Sequence, residues 1–123
     1  LRNRKSVNGN INQIEVTPLQ LSVFTETTKG ATIEIYGNTT LGGIPNYQYT
    51  GTNLVMEKDT AGTTTTGGRL LASYVVPGNS TLLIDLTTLA IRIPPTLAFT
   101  IAGKVNSGAS NTIGCSLVYY EDV

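Results

Sequence analysis

The carboxylates that could do acid–base chemistry in this chain come in two close pairs, Glu57 with Asp59 and Glu121 with Asp122. A glycosidase needs two carboxyl groups facing each other across a gap of about 5–9.5 Å. Residues two apart on one strand, or adjacent near the end of the sequence, read instead as solvated edge charges. Ser73 and Ser80 have no histidine anywhere to activate them, and Lys29, Lys58 and Lys104 fall in turn-like segments with no visible serine partner. Cys115 is the single cysteine, so no disulfide forms within the chain and no thiolate metal site can be completed. Between Ile113, Leu117 and Val118 it reads as a small buried hydrophobe. Gly42-Gly43 and Gly67-Gly68 precede no helix and have turn rather than phosphate-cradling spacing. Asp59, Asn53 and loop carbonyls are the best available oxygen ligands for calcium. Asp59-Thr60-Ala61-Gly62 nevertheless lacks the dense alternating ligands of a dedicated calcium loop. The expectation is a protein that is not an enzyme and carries no cofactor or metal.

Eight basic and eight acidic residues cancel, which argues against a general electrostatic footprint for nucleic acid or an anionic membrane. No apolar run reaches the length of a membrane span, and no signal-peptide pattern is present. The charged fraction is 13%, about half the usual share, with threonine and asparagine supplying polarity instead. Such a surface suits contact with other surfaces. The local exception is the start, where Arg2, Arg4 and Lys5 make a basic arm that reads either as a frayed terminus or as a segment ordered by an acidic partner. Residues 1–14 are therefore expected to form an extended arm, and residues 15–123 a single domain. Six tyrosines, among them Tyr119 and Tyr120, offer apolar area with a polar handle, for the rim of a core or for an interface. Asn38-Thr39-Thr40 and Asn79-Ser80-Thr81 match the glycosylation acceptor pattern, as chance allows in so Asn- and Thr-rich a chain.

These residues must be positioned by strands, because apolar side chains recur at every second position. Leu19, Leu21 and Val23 alternate with Gln20, Ser22 and Phe24, and Ile33 and Ile35 with Thr32, Glu34 and Tyr36. Tyr47 to Thr50 and Leu54 to Glu57 are shorter runs. Thr63, Thr64, Thr65 and Thr66, flanked by glycines, have nothing to bury and predict an exposed loop or hairpin tip. Leu70 to Val76 and Leu82 to Leu86 flank Pro77-Gly78-Asn79-Ser80 and predict a tight antiparallel hairpin. Leu89, Ile91 and Ile93 alternate up to Pro94-Pro95, which stops any ladder; a short helical turn at Thr87 to Ala90 is also compatible. Leu97, Phe99 and Ile101 pair with the Ile113 to Tyr119 run across a tip from Lys104 to Asn111. About eight strands without a crossover helix predict an antiparallel β-sandwich, a jelly roll first and an immunoglobulin-like sandwich second.

The polar N-terminal arm, the threonine-rich sandwich, the Val75-Val76-Pro77-Gly78-Asn79-Ser80 hairpin, the Pro94-Pro95 break and the last strand Ser116 to Glu121 together resemble small virion proteins of tailed bacteriophages. The resemblance covers roughly residues 15 to 123 and is nearest to capsid cement or decoration proteins and the capsid-binding domains of head fibres. It implies a non-enzymatic jelly roll that sits as a homotrimer or homodimer on the outside of a shell, is made in the host cytoplasm, and binds the major capsid protein or another virion protein. Under that implication the arm reaches a neighbour, so removing residues 1–10 is expected to leave the domain folded. The face around Ile91 and Ile93, with Tyr119 and Tyr120, joins an interface, and Thr63 to Thr66 face outward. A receptor- or glycan-binding tip of a tail fibre or adhesin uses the same sandwich and is the alternative.

Overall fold

Apolar residues at alternate positions place one face of each long strand in a shared core. The computed structural model describes residues 1–106 and 112–122 and is all-β. Its body is two antiparallel sheets in a sandwich-like arrangement. Three short strands come first, β1 (Arg2–Asn3), β2 (Ser6–Val7) and β3 (Asn10–Ile11), then the long β4 (Val16–Thr25) and β5 (Ala31–Gly37). An excursion follows through β6 (Thr40–Gly43), β7 (Gln48–Tyr49), β8 (Met56–Lys58) and β9 (Gly62–Thr66). The chain then returns along β10 (Arg69–Val76) and β11 (Thr81–Asp85), makes one 3₁₀ turn (Thr87–Leu89), and ends with β12 (Phe99–Val105) and β13 (Ile113–Glu121).

One sheet has the order β11–β4–β13 and the other β10–β5–β12. Each consecutive long pair, β4 with β5, β10 with β11 and β12 with β13, therefore gives one strand to each sheet. This corrects two expectations. Leu70–Val76 and Leu82–Leu86 do not form a hairpin: β10 pairs with β5, and β11 with β4. The Leu97 and Ile113 runs do not pair either, since β12 lies on β5 and β13 on β4. Part of the expected tip, residues 107–111, lies outside the described residues, while Lys104 and Val105 belong to β12.

The reason for the crossing is visible at the Pro77–Ser80 corner. Thr25 Oγ1 donates to Pro77 O at 2.8 Å, Thr25 N to Ser80 O at 3.0 Å, and Asn79 N to Thr27 O at 2.7 Å. These bonds hold the corner to the neighbouring β4–β5 corner. A Cβ on Gly78 would stand 2.2 Å from Thr28 O, so only glycine permits this approach. Val76 on β10 and Ile84 on β11 then meet from opposite sheets in one core, with Val16, Leu21, Val23, Ile33, Ile35 and Phe99. β4 changes phase at Leu19, where the register with β13 slips by one. The slip lets Val16 and Pro18 as well as Leu21 and Val23 face inward, although the alternation of β4 breaks between them.

The N-terminal stretch is folded onto the domain rather than extended. β1 pairs with β8, and Leu1 exchanges both backbone hydrogen bonds with Phe99, at 2.8 and 2.7 Å. Asn3 and Asn12 are buried and bonded together: Asn12 Nδ2 donates to Asn3 Oδ1 and to Arg4 O, both at 2.7 Å. Asn3 Nδ2 donates to Ile14 O and Ile93 O, both at 2.8 Å, and Ile14 N donates to Asn12 Oδ1 at 2.9 Å. Every amide hydrogen of the two side chains is used, as burial requires. Removing residues 1–10 would therefore cut into the core. Among the described residues no helix is long and apolar enough to cross a membrane.

Candidate functional site

Several of the residues singled out for chemistry are held as structural anchors, whereas Cys115 is free and exposed and buried Glu121 Oε1 has no hydrogen-bond partner among the described residues. Glu57 is buried and takes Arg2 Nε at 2.6 Å. Asp59 accepts the backbone N–H of Asn46 and, at 2.8 Å, that of Gly62. The Asn46 amide, with those of Gly62 and Ala61, holds the Asp59 carboxyl below the usual carboxylate range. Asn53 Oδ1 accepts Asn8 Nδ2 at 2.9 Å. Ser80 Oγ donates to Gly78 O within its own turn at 3.1 Å. Lys104 pairs with Glu34 at 3.3 Å. Glu34 also takes the Tyr36 hydroxyl; that bond, with Lys104, pulls the Glu34 carboxyl down, and Glu34 in turn pushes the Tyr36 hydroxyl up. Among the described residues no three histidine, cysteine or acidic side chains converge as a metal site.

The basic residues of the arm are distributed differently from the expectation. Arg4 is buried, sits 3.6 Å from the Tyr49 ring centroid, and donates Nη1 to Leu54 O at 3.0 Å. Arg2 lies 3.9 Å from the Tyr47 ring centroid. Both guanidinium groups act as clamps for the β7–β8 segment, and of the three only Lys5 is exposed. The face expected around Ile91 and Ile93 is not a surface: both are buried in the core, and Ile93 exchanges backbone bonds with Val16 at 3.1 and 2.8 Å. The 3₁₀ turn and the Pro94-Pro95 segment replace the ladder their alternation suggested. Thr63 to Thr66 are exposed, but they form β9 paired with β6 rather than a loop. Tyr120 is exposed, while Tyr119 is half-buried with its hydroxyl 3.5 Å from Thr50 Oγ1. Cys115 is exposed rather than buried, although adjoining protein still pushes its thiol up.

The surface that stands out is the outer face of the β11–β4–β13 sheet. Cross-strand register lines up Thr81, Phe24 and Gly114, then Leu83, Ser22 and Ser116, then Asp85, Gln20 and Val118. Leu83 is 65% exposed, Val118 51% and Phe24 40%. Asp85 is the one charge in these three rows, and it is tied down by the Thr87 hydroxyl and amide at 2.6 and 3.0 Å, which lower its pKa. Phe24, Leu83 and Val118 thus stand one in each row, among polar residues of which Asp85 alone is charged. Sequence reading missed it because Phe24 and Leu83 stand in the polar phase of their strands. The signal was there in Leu82-Leu83-Ile84, three apolar residues running across both faces. In comparison with known proteins, no family model, no curated protein and no solved structure matches the chain.

Proposed function

We propose that this protein is a non-enzymatic assembly component whose uncharged outer sheet face binds another protein surface. Its most specific form is a bacteriophage capsid decoration or cement protein that bridges capsid subunits on the outside of the shell. The single observation that carries the binding role is the Phe24, Leu83 and Val118 face with its lone, tied-down charge. The virion setting comes from the resemblance of the sequence to small tailed-phage proteins, and the major capsid protein is the partner it implies. A bridging subunit gains by engaging linked sites at once, which multiplies affinity about 10²- to 10⁴-fold over a single contact.

The strand order supports the jelly-roll form of the sandwich over the immunoglobulin-like one. Three consecutive strand couples, each split between the two sheets, enclose one core, with β4 and β5 central in their sheets and the two later couples flanking them on opposite sides. Labelled protein should co-sediment with empty shells of the virus that encodes it, and a Phe24→Glu, Leu83→Glu double variant should remain folded and stay in the supernatant. Saturable binding on a glycan array, with bare shells, would move the reading to a receptor- or glycan-binding tip.

A further inference from the structure

β12 and β13 each end a sheet, and they face one another across a cleft of about 830 Å³ lined by Ile101, Gly103, Cys115 and Leu117. The two edges are not equally protected. The β12 edge is capped at its start by the Leu1–Phe99 bonds and carries the charged Lys104. β13 is nine residues long, has no proline, and has no charge before Glu121. Native edge strands of this length are normally blunted by charge, proline or cover.

Glu26 N bonds Thr112 O on the β4 side. By alternation, the backbone groups of Ile113, Cys115 and Leu117 therefore point away from β4. None of the three has a hydrogen-bond partner at that edge among the described residues. Their side chains share the inner row with Thr25, Val23 and Leu21. Val23 is wholly buried while Cys115 beside it is exposed, so the core lies open at this lip.

We infer that β13 pairs antiparallel with β13 of a second copy about a two-fold axis at Cys115, joining two three-stranded sheets into one. The strand is suited to itself: Thr112-Ile113-Gly114-Cys115-Ser116-Leu117-Val118 reads alike in both directions by size and polarity. Ile113 falls opposite the partner's Leu117, and Gly114 opposite the partner's Ser116, each pair on one face. No charge within the seven residues meets its own copy, so self-pairing meets no like-charge repulsion. Ile113, Cys115 and Leu117 would each exchange both backbone bonds across the joint. The inner row of one copy would extend that of the other and close the lip. This deepens the proposed assembly role, because the joint makes the Phe24 and Leu83 faces of two subunits one continuous surface.

Sedimentation velocity of the full chain over a range of concentrations, with a short bismaleimide as probe, tests the joint. Cα atoms of directly opposed residues lie about 5.5 Å apart, so Cys115 should crosslink to the partner's Cys115. Ser116→Lys puts like charges about 8 Å apart on the diagonal. It should weaken the dimer about 2- to 30-fold, the span between water-like and protein-surface screening. Ser116→Glu alone should weaken it likewise, and mixing the two variants should restore it. A monomer at every concentration, or an oligomer that neither crosslinks at Cys115 nor responds to Ser116→Lys, would overturn the pairing. A monomer that still coats shells would sink this joint and spare the assembly role; a Cys115-linked dimer that leaves shells bare would do the reverse.

Discussion

Replacing Asn3 by alanine should cost this domain a large part of its stability. The Asn3 amide satisfies Ile93 O and Ile14 O and receives Asn12 Nδ2, at 2.7–2.8 Å. Its removal strands one Asn12 N–H in the interior, while Ile93 O keeps the Val16 N–H and Ile14 O is partly open to water. The one unsatisfied buried group costs about 1–3 kcal/mol, and with the hole left behind the total is about 2–4 kcal/mol, against a whole-domain stability of about 5–15 kcal/mol. Urea unfolding followed by tyrosine fluorescence, with a slope of about 1–3 kcal/mol per molar, should show a midpoint lower by roughly 1–2 M. Asn3→Asp sharpens the test, because it turns a carboxylate toward two carbonyl oxygens. Its folded-state pKa must rise above the unfolded value of about 3.9. The penalty is then absent below that value and grows as pH rises, so the Asp variant should recover on acidification relative to wild type, where the Ala variant does not. A loss below about 1 kcal/mol in Asn3→Ala, at unchanged slope, would refute the reasoning by showing that the first strand does not hold the core.

Gly78→Ala should destabilise by at least about 2 kcal/mol, since its Cβ would meet backbone at Thr28 and the corner has no flexible side chain to move aside; thermal melts would measure the shift. Arg4→Lys should cost about 1 kcal/mol by losing the planar stack on Tyr49, and exchange at the β7–β8 amides should quicken. Acid should loosen the segment joining Asn46 to Gly62: the Asp59 pKa is depressed, so its stabilising effect is complete above the unfolded pKa and lost as pH falls through the lower folded value. The protection factors of the Asn46 and Gly62 amides should fall in that window, and Asp59→Asn should show the lower protection already at neutral pH.

Strand positions were legible where alternation survives, as in β5 and the second half of β4, whose inward residues Ile35 and Val23 are buried as the pattern required. Strand partners were not. Pro77-Gly78-Asn79-Ser80 has the composition of a hairpin turn, and only its bonds to Thr25 and Thr27, remote in sequence, send β10 and β11 to different sheets. Arg2 and Arg4 looked like a free basic arm because their partners, Tyr47, Tyr49 and Glu57, lie some fifty residues away. Ile91 and Ile93 were placed on a surface because period-two spacing reveals a phase without telling which phase is inside. The same ambiguity hid Phe24 and Leu83, whose exposure follows from the register of three strands.

The most direct test of the proposed decoration role is hydrogen exchange of the folded protein, free and mixed with empty capsid shells of a tailed phage that carries its gene. The account predicts slowed exchange along β4, β11 and β13, strongest around Phe24, Leu83 and Val118, with the Thr63 to Thr66 strand unchanged. Shell binding that protects β9 or the β10–β5–β12 sheet instead, or no binding by a protein shown to be folded, would contradict it.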